Sequence, residues 1–201
     1  MAITQTPRVA QAARAAVSLA VGLFLTFSQS HGASIGLLAL GIFGIGFAVL
    51  NGFASVIFQK GLAAIENVPL TMVALLVGIF ALLAPNSSSG AVDQTLNSAT
   101  SDALAFKFLV TGWGIIAGAF ELYQARRAGF KTAAGRDLLI NASFGLLLAL
   151  LFLLAPLDIV SQVGFFGAYL LMSGVHGGIS ATSPSPAKPS AKVSSTKSTK
   201  A

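Results

Sequence analysis

Six stretches of the chain consist almost entirely of hydrophobic residues. They lack the alternation of polar and apolar positions that is typical of barrel strands. A helix that crosses the hydrocarbon core of a bilayer needs roughly 17–25 apolar residues, at about 1.5 Å of rise each. No water is present there to pair with backbone N–H and C=O groups, so the stretches must be helical. The pattern predicts six transmembrane helices, at residues 12–27, 33–58, 68–84, 104–123, 138–155 and 159–179.

Composition points to lipid as the solvent. Of the 201 residues, 55% are hydrophobic and only 9% are charged, whereas soluble proteins carry roughly 25% charged residues. So few charges cannot cover a surface that faces water. The chain has no cysteine, which excludes disulfides and thiolate metal sites. We therefore expect an all-α membrane protein with the bilayer as its first partner.

The basic residues predict the orientation of the helices. If six helices cross in turn, every Lys and Arg except Lys107 falls on one side of the membrane. The densest group, between the fourth and fifth helices, consists of Arg126, Arg127, Lys131 and Arg136. The positive-inside rule then places both termini in the cytoplasm and predicts a multi-pass protein of the inner (plasma) membrane. No folded basic face can be drawn, so we expect no nucleic acid partner.

Three segments follow from this layout. Residues 1–11 form a cytoplasmic tail, residues 12–180 form the transmembrane domain with an outer loop at 86–103, and residues 181–201 form a Ser/Thr/Pro/Lys-rich tail that we expect to be disordered. One alternative concerns the first helix. Basic residues precede it and small residues follow it at Ser28 and Ser30, which is also the pattern of a cleaved signal peptide.

Glycine placement suggests an internal repeat. Each odd-numbered helix has one glycine among large apolar residues, at Gly22, Gly78 and Gly145. The even-numbered helices carry small residues four apart, a spacing that lets backbones approach closely; these are Gly44, Ala48 and Gly52, then Gly114 and Gly118, then Gly174 and Gly178. The chain thus predicts three parallel helical-hairpin repeats, most simply packed with the glycine-striped helices inside. The alternative is that glycine is merely frequent in membrane helices.

The second half of the chain resembles a known family. The stretches "GWGIIAGAFELYQARR", "RDLLINASFGLLLALLFLLAP" and "GAYLLMSGVHGGISA" are similar to the HdeD-like acid-resistance membrane proteins of bacteria. Gly112, Trp113, Gly118, Arg126 and Arg127 carry the motif. The likeness is best over 104–181, and the long outer loop and lysine-rich tail depart from it. It implies six short-repeat spans and a link to acid or envelope stress, but no reaction.

Four polar residues in the apolar stretches are candidates for function: Asn51, Glu121, Asn141 and His176. All lie toward the predicted cytoplasmic ends of their helices, where they would line a shallow pocket and let Glu121 and His176 exchange a proton. The alternatives are structural. Glu121, about two residues from the predicted helix end, would pair at the rim with Arg14 or Arg136, the asparagines would bond between helices, and His176 would pack in its neutral form.

Trp113 and Lys107 are assigned by depth. Trp113 falls near the predicted midplane and not at an interface, so we expect it to anchor helix packing. Lys107 lies near the outer mouth, where its side chain extends toward the headgroups.

Enzyme chemistry finds no support in the sequence. His31 and His176 fall on opposite predicted sides, so they cannot share a metal ion, and no P-loop, dinucleotide motif or nucleophile elbow is present. We expect no catalytic residue, cofactor or metal. Three hypotheses remain open: a non-enzymatic stress-response or accessory membrane protein, a small channel or permease that uses the polar cluster, and a subunit of a homo-oligomer or larger envelope complex.

Overall fold

Helices are the only regular elements in the computed structural model over the residues it describes, 7–58, 62–84 and 95–183. Their order is α1 (Pro7–Phe27), α2 (Ala33–Phe58), α3 (Leu62–Leu83), α4 (Thr95–Ala128), α5 (Ala133–Leu154) and α6 (Ile159–Thr182). The prediction of an all-α protein is confirmed. The tail at 184–201 and Lys60 lie outside the described residues.

Four helices, α2, α4, α5 and α6, are long and apolar enough to cross a membrane. The apolar segments of α1 and α3 are shorter, Gln11–Phe27 and Asn67–Leu83, and stand at the lower limit of about 17 residues for a span. These helices are consistent with an integral membrane protein. Crossing by all six helices and cytoplasmic termini stay predictions.

The outer surface of the bundle is apolar. Large side chains are exposed on several helices, among them Phe27 (80%), Phe108 (68%) and Leu154 (75%). Soluble monomers rarely expose apolar surface this widely. Lipid contact explains the exposure without a further partner.

Four helices begin before the apolar pattern does, among them α5, which begins at Ala133 and not at 138. α1 begins at Pro7 and not at 12, α3 at Leu62 and not at 68, and α4 at Thr95 and not at 104. The last part of the predicted outer loop, 95–103, is therefore helix, and α4 also continues past its predicted end at 123 to Ala128. Hydropathy marks the part of a helix that matches lipid, whereas backbone hydrogen bonding continues into polar sequence that lacks a helix breaker.

The even-numbered helices lie at the centre. α2, α4 and α6 pack on one another, while no two of α1, α3 and α5 are in contact within the described ranges. The closest pairs are α2 with α3, α4 with α5, and α1 with α6. Each central helix is thus covered by an outer helix, and none of these close pairs is one of the hairpins 1–2, 3–4 and 5–6 of the predicted repeat.

The glycine stripes face the outer helices and do not meet each other. A Cβ on Gly44 would lie 2.8 Å from the backbone of Gly78 in α3, and one on Gly114 would lie 2.6 Å from the carbonyl oxygen of Gly145 in α5. Gly174 packs on α1 in the same way, 2.9 Å from the backbone N of Leu19. Backbones approach this closely only where side chains are absent.

The remaining stripe residues vary in how closely they pack. A Cβ on Gly118 would lie 2.8 Å from Leu146, and Ala48 is 5% exposed. Gly52 is looser, with Thr71 at 3.8 Å, and a Cβ on Gly178 would meet nothing within 4 Å among the described residues. The tight helix contact is therefore at the first residue of each stripe, Gly44, Gly114 and Gly174, and in α4 it extends to Gly118.

A tight turn joins α4 to α5 and orients the start of α5. Gly129 has φ +86°, which favours glycine because an L side chain is strained there. Thr132 caps α5 by accepting a hydrogen bond from the Gly135 N–H at 3.0 Å. A Cβ on Gly135 would overlap the carbonyl oxygen of Gly129. Both glycines are thus required for the two helices to meet at this distance.

Candidate functional site

A cavity of about 450 Å³ lies at the end of the bundle where α1, α3 and α5 begin and α2, α4 and α6 end. All six helices contribute to its wall, which runs inward from Ala133 and Ser183 at the helix ends to Phe43 and Trp113. Small-molecule sites usually occupy roughly 300–1,000 Å³. The cavity is therefore large enough for one small molecule.

Aromatic side chains of the three central helices close its inner end. Trp113 of α4 is 2% exposed and makes edge-to-face contacts with Phe43 and Phe47 of α2, with ring centroids 5.4 and 5.3 Å apart. Its indole N–H donates to the hydroxyl of Tyr169 in α6 at 3.2 Å. These contacts tie α2, α4 and α6 together and leave an apolar floor that carries one hydroxyl.

Arg14 of α1 supplies a positive charge to the wall. Its Nη2 donates to Oδ1 of Asn51, and its guanidinium carbon lies 5.0 Å from the centroid of the Phe47 ring. Its Nε is buried and has no hydrogen-bond partner in the described part of the chain. A guanidinium removed from water must be compensated by opposite charge and hydrogen bonds. Asn51 and Phe47 compensate Arg14 only in part.

A chain of hydrogen bonds holds Asn51 in place. Asn51 is 1% exposed, and its Nδ2 donates to Thr71 Oγ1 of α3 at 2.6 Å. The Thr71 hydroxyl donates in turn to the carbonyl oxygen of Asn67 at 2.9 Å. Gln124 of α4 donates to the Asn67 side chain at 3.3 Å. The orientation of Arg14 is thus set through α2, α3 and α4.

Glu121 of α4 brings a negative charge to the same cavity, and it attracts the Arg14 guanidinium electrostatically. The expectation that Glu121 lies two residues from its helix end is wrong, because α4 continues to Ala128. Glu121 is about two helical turns from that end. Of its two suggested partners, Arg14 lines the cavity, whereas Arg136 is exposed and lies outside the cavity wall.

The structure brings together most of the predicted polar cluster. Glu121 and Asn141 both line the cavity, and Asn51 joins it through Arg14. The Oδ1 atom of Asn141 is buried and has no partner among the described residues. His176 is not part of the wall. Its Nε2 lies 3.2 Å from the Asp137 carbonyl oxygen and its ring packs edge-to-face on Phe144 at 6.1 Å.

Sequence reasoning missed several wall residues. Arg14 was used only in the count of basic residues that predicts the orientation of the helices, and as one possible partner of Glu121. Asp137 and Tyr169 were not considered as parts of a site. Arg14 is recognisable as a positive charge inside an apolar segment that begins at Gln11. Nothing local marks Tyr169, which joins the site because α6 packs at the centre.

The predicted orientation residues are all exposed at this end of the bundle. Arg126 and Arg127 lie in the last turn of α4, where positive charge suits the helix dipole. Lys131 follows in the turn and Arg136 in the first turns of α5. The cavity end of the bundle is therefore its positively charged end.

Within the described residues, no three His, Asp or Glu side chains gather where they would hold a metal ion. Thr111 and Gln162 lie away from the cavity. Each has a buried side-chain oxygen with no hydrogen-bond partner among the described residues.

Comparison with known proteins adds no assignment: no family model, curated protein or solved structure matches the chain. The function must be inferred from the cavity and its charges.

Proposed function

We propose that the protein is a non-enzymatic inner-membrane protein with an accessory role in acid or envelope stress, as the HdeD-like resemblance implies, and that it acts through the cavity. The observation that carries the proposal is the pair of opposite charges, Arg14 and Glu121, on the wall of one cavity in an apolar bundle. A charge costs about 2.5–3.5 kcal/mol at the centre of a membrane helix on insertion scales and less toward its ends, where Arg14 and Glu121 lie. Side chains kept at that cost are functional by default.

In this proposal all six helices cross the membrane and the cavity opens to the cytoplasm. The support is the exposed basic group at the cavity end, Arg126, Arg127, Lys131 and Arg136, since the positive-inside rule holds such segments back from translocation. The threefold repeat is supported by the outer helices, each of which packs closely on one central helix.

The test blocks the cavity without changing charge. Ser173 lines the cavity, whereas its neighbour Met172 is 49% exposed. We expect Ser173→Phe to lose the ability to restore acid survival to a strain that lacks the gene, and Met172→Phe to retain it. Immunoblots of membrane fractions must show equal amounts of both variants. Full activity of Ser173→Phe, or normal survival of the deletion strain, contradicts the proposal.

A small permease is the second candidate, and the position of the cavity favours it. The wall extends from the helix ends to Trp113 and Tyr169 at the centre of the three inner helices, which is the geometry of a site open to one side only. A transporter requires this site to become accessible from the other side. Flux of a bound solute into proteoliposomes, absent in Ser173→Phe, would support this candidate over a purely accessory role.

A further inference from the structure

We propose that the cavity binds a small zwitterion with an apolar body, of the amino acid class, whose carboxylate contacts Arg14 and whose ammonium group contacts Glu121. This inference rests on the proposed function, because it takes the cavity as the working site.

The two charges of the cavity are carried by helices that do not pack on each other over the residues the structure describes. Arg14 is carried by α1 and Glu121 by α4, and these two helices make no direct contact in the described ranges. Both side chains nevertheless line one cavity. The two charges therefore lie on different helices of the wall of one cavity, whose volume a ligand can occupy. A ligand with a single charge would leave the other protein charge uncompensated, which is costly in a site largely enclosed by helices.

Polar atoms beside the two charges have unused hydrogen-bonding capacity. Arg14 already donates from Nη2 to Asn51, while its Nε is buried without a partner. A guanidinium with free N–H groups suits a carboxylate, which it binds with fixed geometry. The Oδ1 atom of Asn141, also buried and unpartnered, is an acceptor. An ammonium group offers three donors, which Glu121 and Asn141 can share.

The inner end of the cavity has an apolar floor. Phe43, Phe47, Leu70 and Trp113 line the inner part of the cavity. Polar groups that fix the orientation of a ligand, together with aromatic walls that bury its body, are typical of small-molecule sites. The volume of about 450 Å³ holds one such molecule.

One further charge lies on the wall and does not alter the match. Asp137 lies about one helical turn after the start of α5 at Ala133. Its neighbour Arg136 is exposed. Asp137 is at the mouth, where water and the basic residues screen it. Among the described residues, the inner part of the cavity has one charge of each sign, Arg14 and Glu121.

The experiment compares three probes of similar shape and different charge on the purified full chain in detergent. L-leucine is a zwitterion, leucinamide is a cation and 4-methylpentanoate is an anion. We expect isothermal titration to show leucine binding at least about tenfold more tightly than either analogue, because each analogue leaves one buried charge unpaired. Absence of leucine binding, or equal binding of all three probes, overturns the inference.

Charge-neutral variants test which residue meets which group. Arg14→Gln is expected to lose leucine and to bind leucinamide more tightly than the wild type, since only Glu121 remains charged. Glu121→Gln is expected to do the reverse and to favour 4-methylpentanoate. Lys107→Gln and Asp158→Asn are the controls. Each removes one charge of the same sign as Arg14 or Glu121, but at a residue that is not part of the cavity wall, and both should leave leucine binding unchanged. Unchanged leucine binding by both cavity variants contradicts the assignment; if neither folds, probe selectivity in the wild type decides.

The two proposals fail separately. Leucine binding combined with full acid protection by Ser173→Phe would leave the ligand assignment standing and remove the stress role. Loss of acid protection in Ser173→Phe, combined with no binding of any probe by the wild type, would leave the stress role standing and remove the ligand assignment.

Discussion

Gly114→Ala is the sharpest test of the contact between α4 and α5. A Cβ on Gly114 would lie 2.6 Å from the carbonyl oxygen of Gly145, whereas real Cβ contacts do not fall below 3.0 Å, so the helices must separate locally by at least 0.4 Å (3.0 minus 2.6). The opposing atom belongs to the backbone of α5, which cannot rotate away as a flexible side chain would. Forcing extra volume into a packed contact of this kind costs about 1–3 kcal/mol.

Gly112 provides a matched control on the same helix. A Cβ there would meet nothing within 4 Å in the described part of the chain. Both substitutions gain the same intrinsic helix propensity, about 1 kcal/mol for Gly to Ala. The difference between the two variants therefore isolates the contact with α5, and we expect Gly114→Ala to be less stable than Gly112→Ala by about 1–3 kcal/mol.

The measurement is the free energy of unfolding in mixed micelles, from titration with sodium dodecyl sulfate followed by far-UV circular dichroism. Gly112→Ala should be as stable as the wild type or more so. Equal stability of the two alanine variants would refute the close approach of α4 and α5.

Two further predictions concern the cavity floor and the α4–α5 turn. A double-mutant cycle of Trp113→Phe and Tyr169→Phe, measured by the same titration, should give a coupling free energy of about 0.6 kcal/mol, the average for hydrogen bonds between membrane helices. Zero coupling would show that the 3.2 Å hydrogen bond between the two side chains contributes no stability. Gly129→Ala should cost about 1–2 kcal/mol because φ is +86°, and Gly135→Ala should cost more because its Cβ overlaps the Gly129 carbonyl oxygen. A turn that tolerates Gly135→Ala without loss contradicts this geometry.

Hydropathy located the helices well but not their ends. All six predicted stretches correspond to helices, yet α4 extends beyond its apolar part in both directions, to Thr95 and Ala128. This changes the interpretation of Glu121, which is farther from its helix end than the apolar pattern indicates. The error arises because the pattern reports the preference of side chains for lipid, while the backbone continues its hydrogen bonds for as long as the residues allow.

The polar cluster was predictable as a set of residues but not as a site. Asn51, Glu121 and Asn141 were recognisable because a polar side chain in an apolar helix is rare. His176 met the same criterion but lies between α5 and α6 and not on the cavity wall. Depth along a helix can be counted from sequence, whereas the direction in which a side chain points relative to other helices cannot.

The sequence alone determined that this chain folds as apolar helices suited to lipid, because hydropathy is a property of each segment by itself. Only the tertiary structure decided that the glycine stripes face the outer helices and that Arg14 and Glu121 line the same cavity. Those outcomes depend on how α1, α4 and the other helices rotate and pair, and pairing is set by the fit between surfaces that lie far apart along the chain.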